Sequence, residues 1–376
     1  MKLKQFIQQE TVLTAAAVLA VVSAFFVPPD AQYLGYIDLR TLAILFSLMT
    51  VMAGLRRQGF FDELGRALLS RTHSTFQLTL VLVGLCFFGS MFITNDVSLL
   101  TFVPFTFVVL SCLGADVRRS LLVPVVCMQT IAANLGSMLT PIGNPQNLYL
   151  YGKSSMSIGG FVLLMLPYTL VSLLLLLAWA ALVCRKASVA LSVDELVSSS
   201  ASQGDQKIIL LYLVLFAVCL LSVIRVLPYG IAFAAVLVCV LFADPRTLRA
   251  VDYSLLLTFV AFFIFIGNLG RIPAFSGWLQ EFLTGREVLV AVLASQVTSN
   301  VPAALLLSGF TAETQALIIG TNLGGLGTLI ASMASLISYR QIARELPQGK
   351  KQYFGLFTLS NLIFLALLLG VWFLLR

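Results

Sequence analysis

Apolar stretches of roughly twenty residues follow one another along nearly the whole chain, and four of them are broken in the middle by polar residues, glycine or proline. About 20 apolar residues is the length a helix needs to cross a bilayer core. In lipid every backbone N–H and C=O must find a partner within the protein. Spans are therefore helical, and irregular backbone survives only where protein or a cavity surrounds it. The expected fold class is an all-α polytopic membrane protein. Composition agrees: 59% of the 376 residues are hydrophobic and 10% charged, against about 25% charged in soluble domains. That balance excludes a soluble enzyme, a nucleic-acid binder and a disordered chain. The net charge of +7 reads as basic cytoplasmic loops.

The unbroken spans are 11–28, 38–55, 157–184, 207–227, 229–243, 252–270 and 353–375; the broken regions are 76–113, 120–153, 286–312 and 315–340. Met1–Glu10 with the apolar run to Val27 is longer than a signal peptide and reads as an uncleaved first span. The polar stretch at 185–206 reads as a cytoplasmic linker between two halves, 1–184 and 207–376.

The halves resemble each other. NLGSMLTPIGNPQNLYLY (134–151) aligns without gaps to NLGGLGTLIASMASLISY (322–339), 188 residues later, with seven matches. Asn134/Asn322, Gly136/Gly324, Thr140/Thr328 and Tyr151/Tyr339 carry the case, since leucine matches are cheap in such a composition. Asp38 and Asp252 each open a span ending at Gly54 or Gly267, and each span is followed by an amphipathic stretch, 59–69 or 274–283, of the kind that lies along a membrane surface. In the first, Phe60, Phe61, Leu64 and Leu68 are the apolar face.

With 76–113 and 286–312 treated as re-entrant hairpins, nine crossings remain, and five separate the starts of the matching spans. An odd number makes the repeats inverted. One side then receives only Arg40, Lys153, Arg225, Arg271, Arg286 and Arg376, leaving 17 of the 23 basic residues on the other. The N-terminus is expected inside and the C-terminus outside. Arg225, near a span end, is expected to snorkel to the interface.

Inverted repeats with interrupted helices point to a secondary transporter whose site lies where the breaks meet. At the first break, Thr94-Asn95-Asp96, Asp96 is the only acidic residue in the middle of an apolar segment. A carboxylate there costs about 2.5–3.5 kcal/mol on insertion scales and calls for a proton, a cation or donors. The structural alternative is a cap on a helix starting at Val97. The second break, 140–147, contains Thr140, Pro141, Gly143, Asn144, Pro145, Gln146 and Asn147. Its prolines free carbonyls that suit a hard cation, and its N–H groups suit an anion. Thr298-Ser299-Asn300 before Pro302 mirrors the first break without an acid, and Gly327-Thr328 through Ser332 and Ser335 mirrors the second. One ion site would comprise Asp96, Asn95, Thr140, Asn144 and Asn147; its partner would comprise Ser299, Asn300, Thr328 and Ser332.

Cys86, Cys112, Cys127, Cys184, Cys219 and Cys239 lie in or beside apolar runs with no metal-ligand spacing, and His73 is the single histidine. They read as buried small hydrophobes, not as disulfides or a zinc site. No nucleophile–base arrangement occurs at membrane depth, so the chain is expected not to be an enzyme and to need no organic cofactor.

FITND, TPIGNPQN, SNVP and NLGGLGTL together resemble the ion transporter superfamily, in the branch of citrate-transporter-like, arsenite-permease-like and sodium/proton-antiporter-like bacterial membrane proteins. The resemblance runs from about Asp38 to Tyr339. In the related divalent anion:sodium symporters, Ser-Asn-Thr motifs at two hairpin tips bind sodium and part of a carboxylate substrate. The resemblance therefore implies ion binding by Thr94, Asn95, Asp96, Thr140, Gly143, Asn144, Thr298, Ser299, Asn300 and Thr328, with Na⁺ at Asn95, Asp96, Ser299 and Asn300. It implies solute binding by Asn95, Pro141, Asn144, Gln146, Asn147, Asn300, Pro302 and Ser332. It also implies a homodimer and an elevator-type mechanism in the bacterial inner membrane. Asp96 departs from that pattern by standing where the motif has threonine, and fewer spans precede Asp38. The expected function is transport of a small anionic solute coupled to Na⁺ or H⁺. A Na⁺/H⁺ antiporter and an arsenite-type metalloid efflux permease are the alternatives.

Overall fold

Short polar caps set where the helices begin. Asp38, Ser74, Asn144, Ser157 and Asp252 each accept a hydrogen bond from the backbone N–H three residues on, a bond that satisfies one of the orphan donors of a first turn. In a computed structural model describing residues 10–70, 72–111, 113, 115–185 and 204–376, helices are the regular elements, and the described residues form no strands. In the first half the helices are α1 (Thr11–Phe26), α2 (Gln32–Tyr36), α3 (Leu39–Arg57), α4 (Phe60–Leu69), α5 (Thr75–Ile93), α6 (Asn95–Ser111), α7 (Ala115–Ser137), α8 (Pro145–Lys153) and α9 (Ile158–Cys184). In the second they are α10 (Gln206–Val223), α11 (Tyr229–Ala243), α12 (Tyr253–Gly270), α13 (Pro273–Leu283), α14 (Glu287–Thr298), α15 (Asn300–Leu307), α16 (Thr314–Leu323), α17 (Met333–Glu345) and α18 (Lys350–Leu375).

Seven described helices are long and apolar enough to cross a membrane. They include α5, which the sequence suggests is a hairpin arm. They do not include α1 and α11, read as crossings, which have 16 and 15 residues. Pro28-Pro29 bound α1, and Asp244-Pro245 bound α11; a residue before proline is pushed out of helical conformation. The linker expected at 185–206 lies mostly outside the described residues.

α7 is the central rod. It packs against α5, α6, α9, α17 and α18, and 89% of its most apolar stretch is buried, against 22% for α18. α18, α9 and α10 carry the outward apolar surface. A second group forms where α12 packs on α1 and where α10 and α11 pack on α3. Arg57 ties this group together with a 3.0 Å ion pair to Asp244 and a 3.0 Å bond to the Thr247 hydroxyl. The groups meet where α12 and α8 touch α15 and where α3 touches α8.

Gly54 and Gly267 do not end their spans, as the sequence suggests. α3 and α12 run on to Arg57 and Gly270. A Cβ at either glycine would lie 2.0 Å from the Tyr212 ring or 2.3 Å from the Tyr36 ring, so these residues admit an aromatic ring against the backbone. The amphipathic stretches form α4 and α13. α4 buries Phe61 and leaves Leu64 and Leu68 exposed. The five described cysteines, all but Cys112, are free thiols.

Candidate functional site

All four breaks in the sequence are breaks in the structure. Thr94 separates α5 from α6 and Ser299 separates α14 from α15, with φ of 67° and 78° and ψ near 150° at both. Apart from Arg225, these are the only described non-glycine residues at positive φ. That region belongs almost wholly to glycine and costs about 1–3 kcal/mol for another residue. Each tip is held by one backbone bond to the loop of the broken helix in its own half: Asn95 N–H to Gly143 O at 3.1 Å, and Asn300 N–H to Ala331 O at 2.9 Å. Positions 143 and 331 are 188 apart, as in the alignment.

This corrects the pairing of the tips. Thr94 corresponds to Ser299, Asn95 to Asn300, and Asp96 to Val301. Thr298 is the exposed last residue of α14, and its hydroxyl bonds Ala294 O at 3.0 Å within its own helix. It does not enter the site.

Two asparagines tie the halves together. Asn134 accepts from Asn95 Nδ2 at 3.0 Å and from Ser332 Oγ at 2.9 Å, and its Nδ2 donates to Ser335 Oγ at 3.4 Å. Asn322 accepts from Asn144 Nδ2 at 3.1 Å and donates to Asn147 Oδ1 at 2.6 Å. Shifted by 188, Asn144 and Asn147 become Ser332 and Ser335. Each asparagine therefore bonds the other half's version of the same two positions, as in an isologous contact.

Asn144 also caps α8 by accepting from Asn147 N–H at 2.9 Å. Asn147 Nδ2 lies 3.3–3.5 Å from the carbonyl oxygens of Ser137, Met138 and Thr140. The Thr140 hydroxyl donates to Met91 O, and the carbonyl of Gly143 takes the tip bond. Thr140 and Asn147 are thus engaged with backbone rather than gathered around Asp96. Thr328 is exposed and held by Gln296: its N–H donates to Gln296 Oε1 at 2.9 Å and its hydroxyl to Gln296 O at 3.3 Å. Gln296 Nε2 also reaches Gly324 O and Leu326 O at 3.0 and 2.9 Å. Pro141 is buried in the loop, and Ser299 Oγ bonds Ala331 O at 3.4 Å.

Polar atoms of two side chains at the breaks have no hydrogen-bond partner among the described residues. Gln146 is 1% exposed, and neither of its amide atoms makes a hydrogen bond. Asp96 Oδ1 is enclosed and accepts none. Asp96 is not a helix cap: α6 begins at Asn95, whose side chain accepts from the Asp96 N–H at 3.0 Å. Asp96 lines two cavities of about 140 Å³ each, one with Ser299, Pro302, Glu10 and Arg340, the other with Thr94, Asn144 and Arg56; Pro145, Asp252 and Leu255 line both.

Arg225 does not simply snorkel. It donates to Tyr151 O at 2.8 Å and to Ser154 O, and it sits over the Tyr151 ring, which fixes the end of α8. Gln296 and Arg340 are site neighbours not singled out from the sequence, and Asp252, which the sequence marks only as the start of a span, is a third.

A family model described as citrate transporter matches residues 6–316. The chain belongs to this family. It is similar to the inner membrane protein YbiR of Escherichia coli, 32% identical over 324 residues covering 84% of each chain. It is likewise similar to the uncharacterized transporter MJ0456 of Methanocaldococcus jannaschii, 31% identical over 304 residues and 81% of each. A shorter match joins it to the silicon efflux transporter LSI3 of rice, 34% identical over 132 residues, 35% of this chain and 26% of that one. The chain is a multi-pass membrane transporter.

Proposed function

We propose that the chain is a secondary active transporter of a small anionic solute, a carboxylate or inorganic oxyanion, coupled to Na⁺ or H⁺ at Asp96. The observation that carries this reading is the pair of unpartnered groups at the first two breaks, Asp96 Oδ1 and the Gln146 amide. A buried polar group without a partner costs about 1–3 kcal/mol. A cation or proton at Asp96 and a hydrogen-bonding solute at Gln146 remove that cost. Two inverted repeats, opposed re-entrant hairpins and elevator-type movement belong to the same reading, with the N-terminus inside, as a homodimer in a bacterial inner membrane. The reciprocal Asn134 and Asn322 bonds support it.

The test is uptake into proteoliposomes of citrate, succinate, sulfate, arsenite and silicate, with Na⁺ and pH gradients imposed separately. Wild type should concentrate at least one solute under one gradient, and Asp96→Asn should lose the dependence on that gradient. Unchanged coupling in the mutant would overturn the assignment of Asp96. A second reading, a Na⁺/H⁺ antiporter, is favoured by the further carboxylates of the crevice, Asp252 and Glu10. In that case Asp96→Asn should abolish all transport, whereas a symporter retains uptake of altered stoichiometry. The stretch shared with the rice silicon efflux transporter is the reason to include silicate among the solutes.

A further inference from the structure

Asp38 and Asp252 occupy the same place in the two halves and have nearly the same backbone, with φ, ψ of −78°, 87° and −79°, 83°. Each caps its helix through Oδ1, to Thr41 N–H and to Leu255 N–H, both at 3.0 Å. Their other oxygens differ. Thr41 Oγ1 donates to Asp38 Oδ2 at 2.6 Å, so both oxygens of that carboxylate are satisfied. At the equivalent position Leu255 has no hydroxyl, and no described side chain donates to Asp252. Asp252 is an exposed residue, and it lines both cavities that Asp96 lines. The enclosed Oδ1 of Asp96, which accepts nothing, is the second carboxylate oxygen of the same space. The other charged groups there are Glu10 and Arg340 in one cavity and Arg56 in the other.

We propose that Asp252 is the entry carboxylate of the coupling site: it captures the monovalent cation, Na⁺ or H⁺, in the crevice and passes it to Asp96. This rests on the reading of Asp96 as the coupling residue. A cap needs one oxygen, which leaves the other for a cation, and a carboxylate at the mouth raises the local cation concentration ahead of a buried one. Arg340 and Arg56 hold the net charge of the crevice near balance, so the cation is not trapped there.

The experiment is thermal stability of the purified full chain, titrated with NaCl and LiCl against choline chloride from pH 5 to 9. A ligand stabilises only if it binds the folded state, and the choline series reads protons alone. Four variants are compared with wild type: Asp96→Asn, Asp252→Asn, Leu255→Thr and Asp38→Asn. Asparagine remains a good cap, so the helices persist. Asp96→Asn should abolish the cation or pH response. Asp252→Asn should weaken the apparent affinity about tenfold, the size expected of one charge acting across a partly wet crevice. Leu255→Thr keeps the charge but gives Asp252 the hydroxyl that Thr41 gives Asp38, and should weaken the response in the same direction. Asp38→Asn should match wild type. Asp252→Asn and Leu255→Thr both superimposing on wild type while Asp96→Asn loses the response would overturn the entry role alone. A wild type with neither cation nor pH dependence would remove the coupling reading itself.

Discussion

The breaks at Thr94 and Ser299 share a backbone and differ most in the side chain two residues on. Thr94-Asn95 and Ser299-Asn300 adopt the same strained turn and make the same backbone bond to a loop, yet the next residue is Asp96 in one and Val301 in the other. Val301 is 8% exposed, belongs to the hydrophobic core and brings an apolar side chain to one of the two cavities; Asp96 brings a carboxylate to both. The same backbone turn therefore presents a carboxylate in one half and an apolar side chain in the other. The backbone frame occurs twice, at Thr94 and at Ser299, and the charge once. The same holds at the caps, where Asp38 is closed by Thr41 and Asp252 is left open by Leu255.

The largest effect should come from making the tips alike. Asp96→Val places in the first tip the residue that the second already accommodates, so the protein should fold while coupled transport falls by about a hundredfold or more, the scale of losing an essential charged group. Flux of a responsive solute into proteoliposomes measures it, and near-wild-type coupled flux would mean that the difference between the tips is structural. A smaller effect should follow at the bridging asparagines. Asn134→Ala and Asn322→Ala each strip buried partners of hydrogen bonds, at about 1–3 kcal/mol per orphaned group. Unfolding of the two variants should show destabilisation of similar size. A large loss in one and none in the other would break the equivalence of the halves.

The breaks were legible because proline, glycine and asparagine clusters cannot continue a helix, and the caps were legible because Asp and Ser precede apolar runs. Aligning Thr94 with Thr298 sets the tips one residue out of register. Matching Asn95 to Asn300, the residues whose N–H groups dock, gives the register that the backbone adopts. Gln296 was not legible: a glutamine in an apolar helix shows no partner until the loop at 324–328 folds against it. The sequence marks Asp252 as the start of a span, but not the state of its second carboxylate oxygen. The signal for that state lies three residues on, in the contrast between Leu255 and Thr41.

The smallest expected effect separates the tips by what their side chains hold. At φ near 70° and ψ near 150°, glycine carries no steric penalty, whereas threonine and serine pay about 1–3 kcal/mol. Glycine also gives the unfolded chain more freedom, at roughly 0.5–1 kcal/mol. Thr94 makes no side-chain hydrogen bond to a described residue, so Thr94→Gly should stabilise the protein by about 1 kcal/mol. Ser299 donates to Ala331 O, a bond contributing about 0.5–1.5 kcal/mol, so Ser299→Gly should come out near zero. Thermal unfolding of the two single variants in one detergent gives the comparison. If Thr94→Gly destabilised the protein while Ser299→Gly did not, the Thr94 methyl and hydroxyl would be packing groups of the first tip, and the two turns would be alike in backbone angles only.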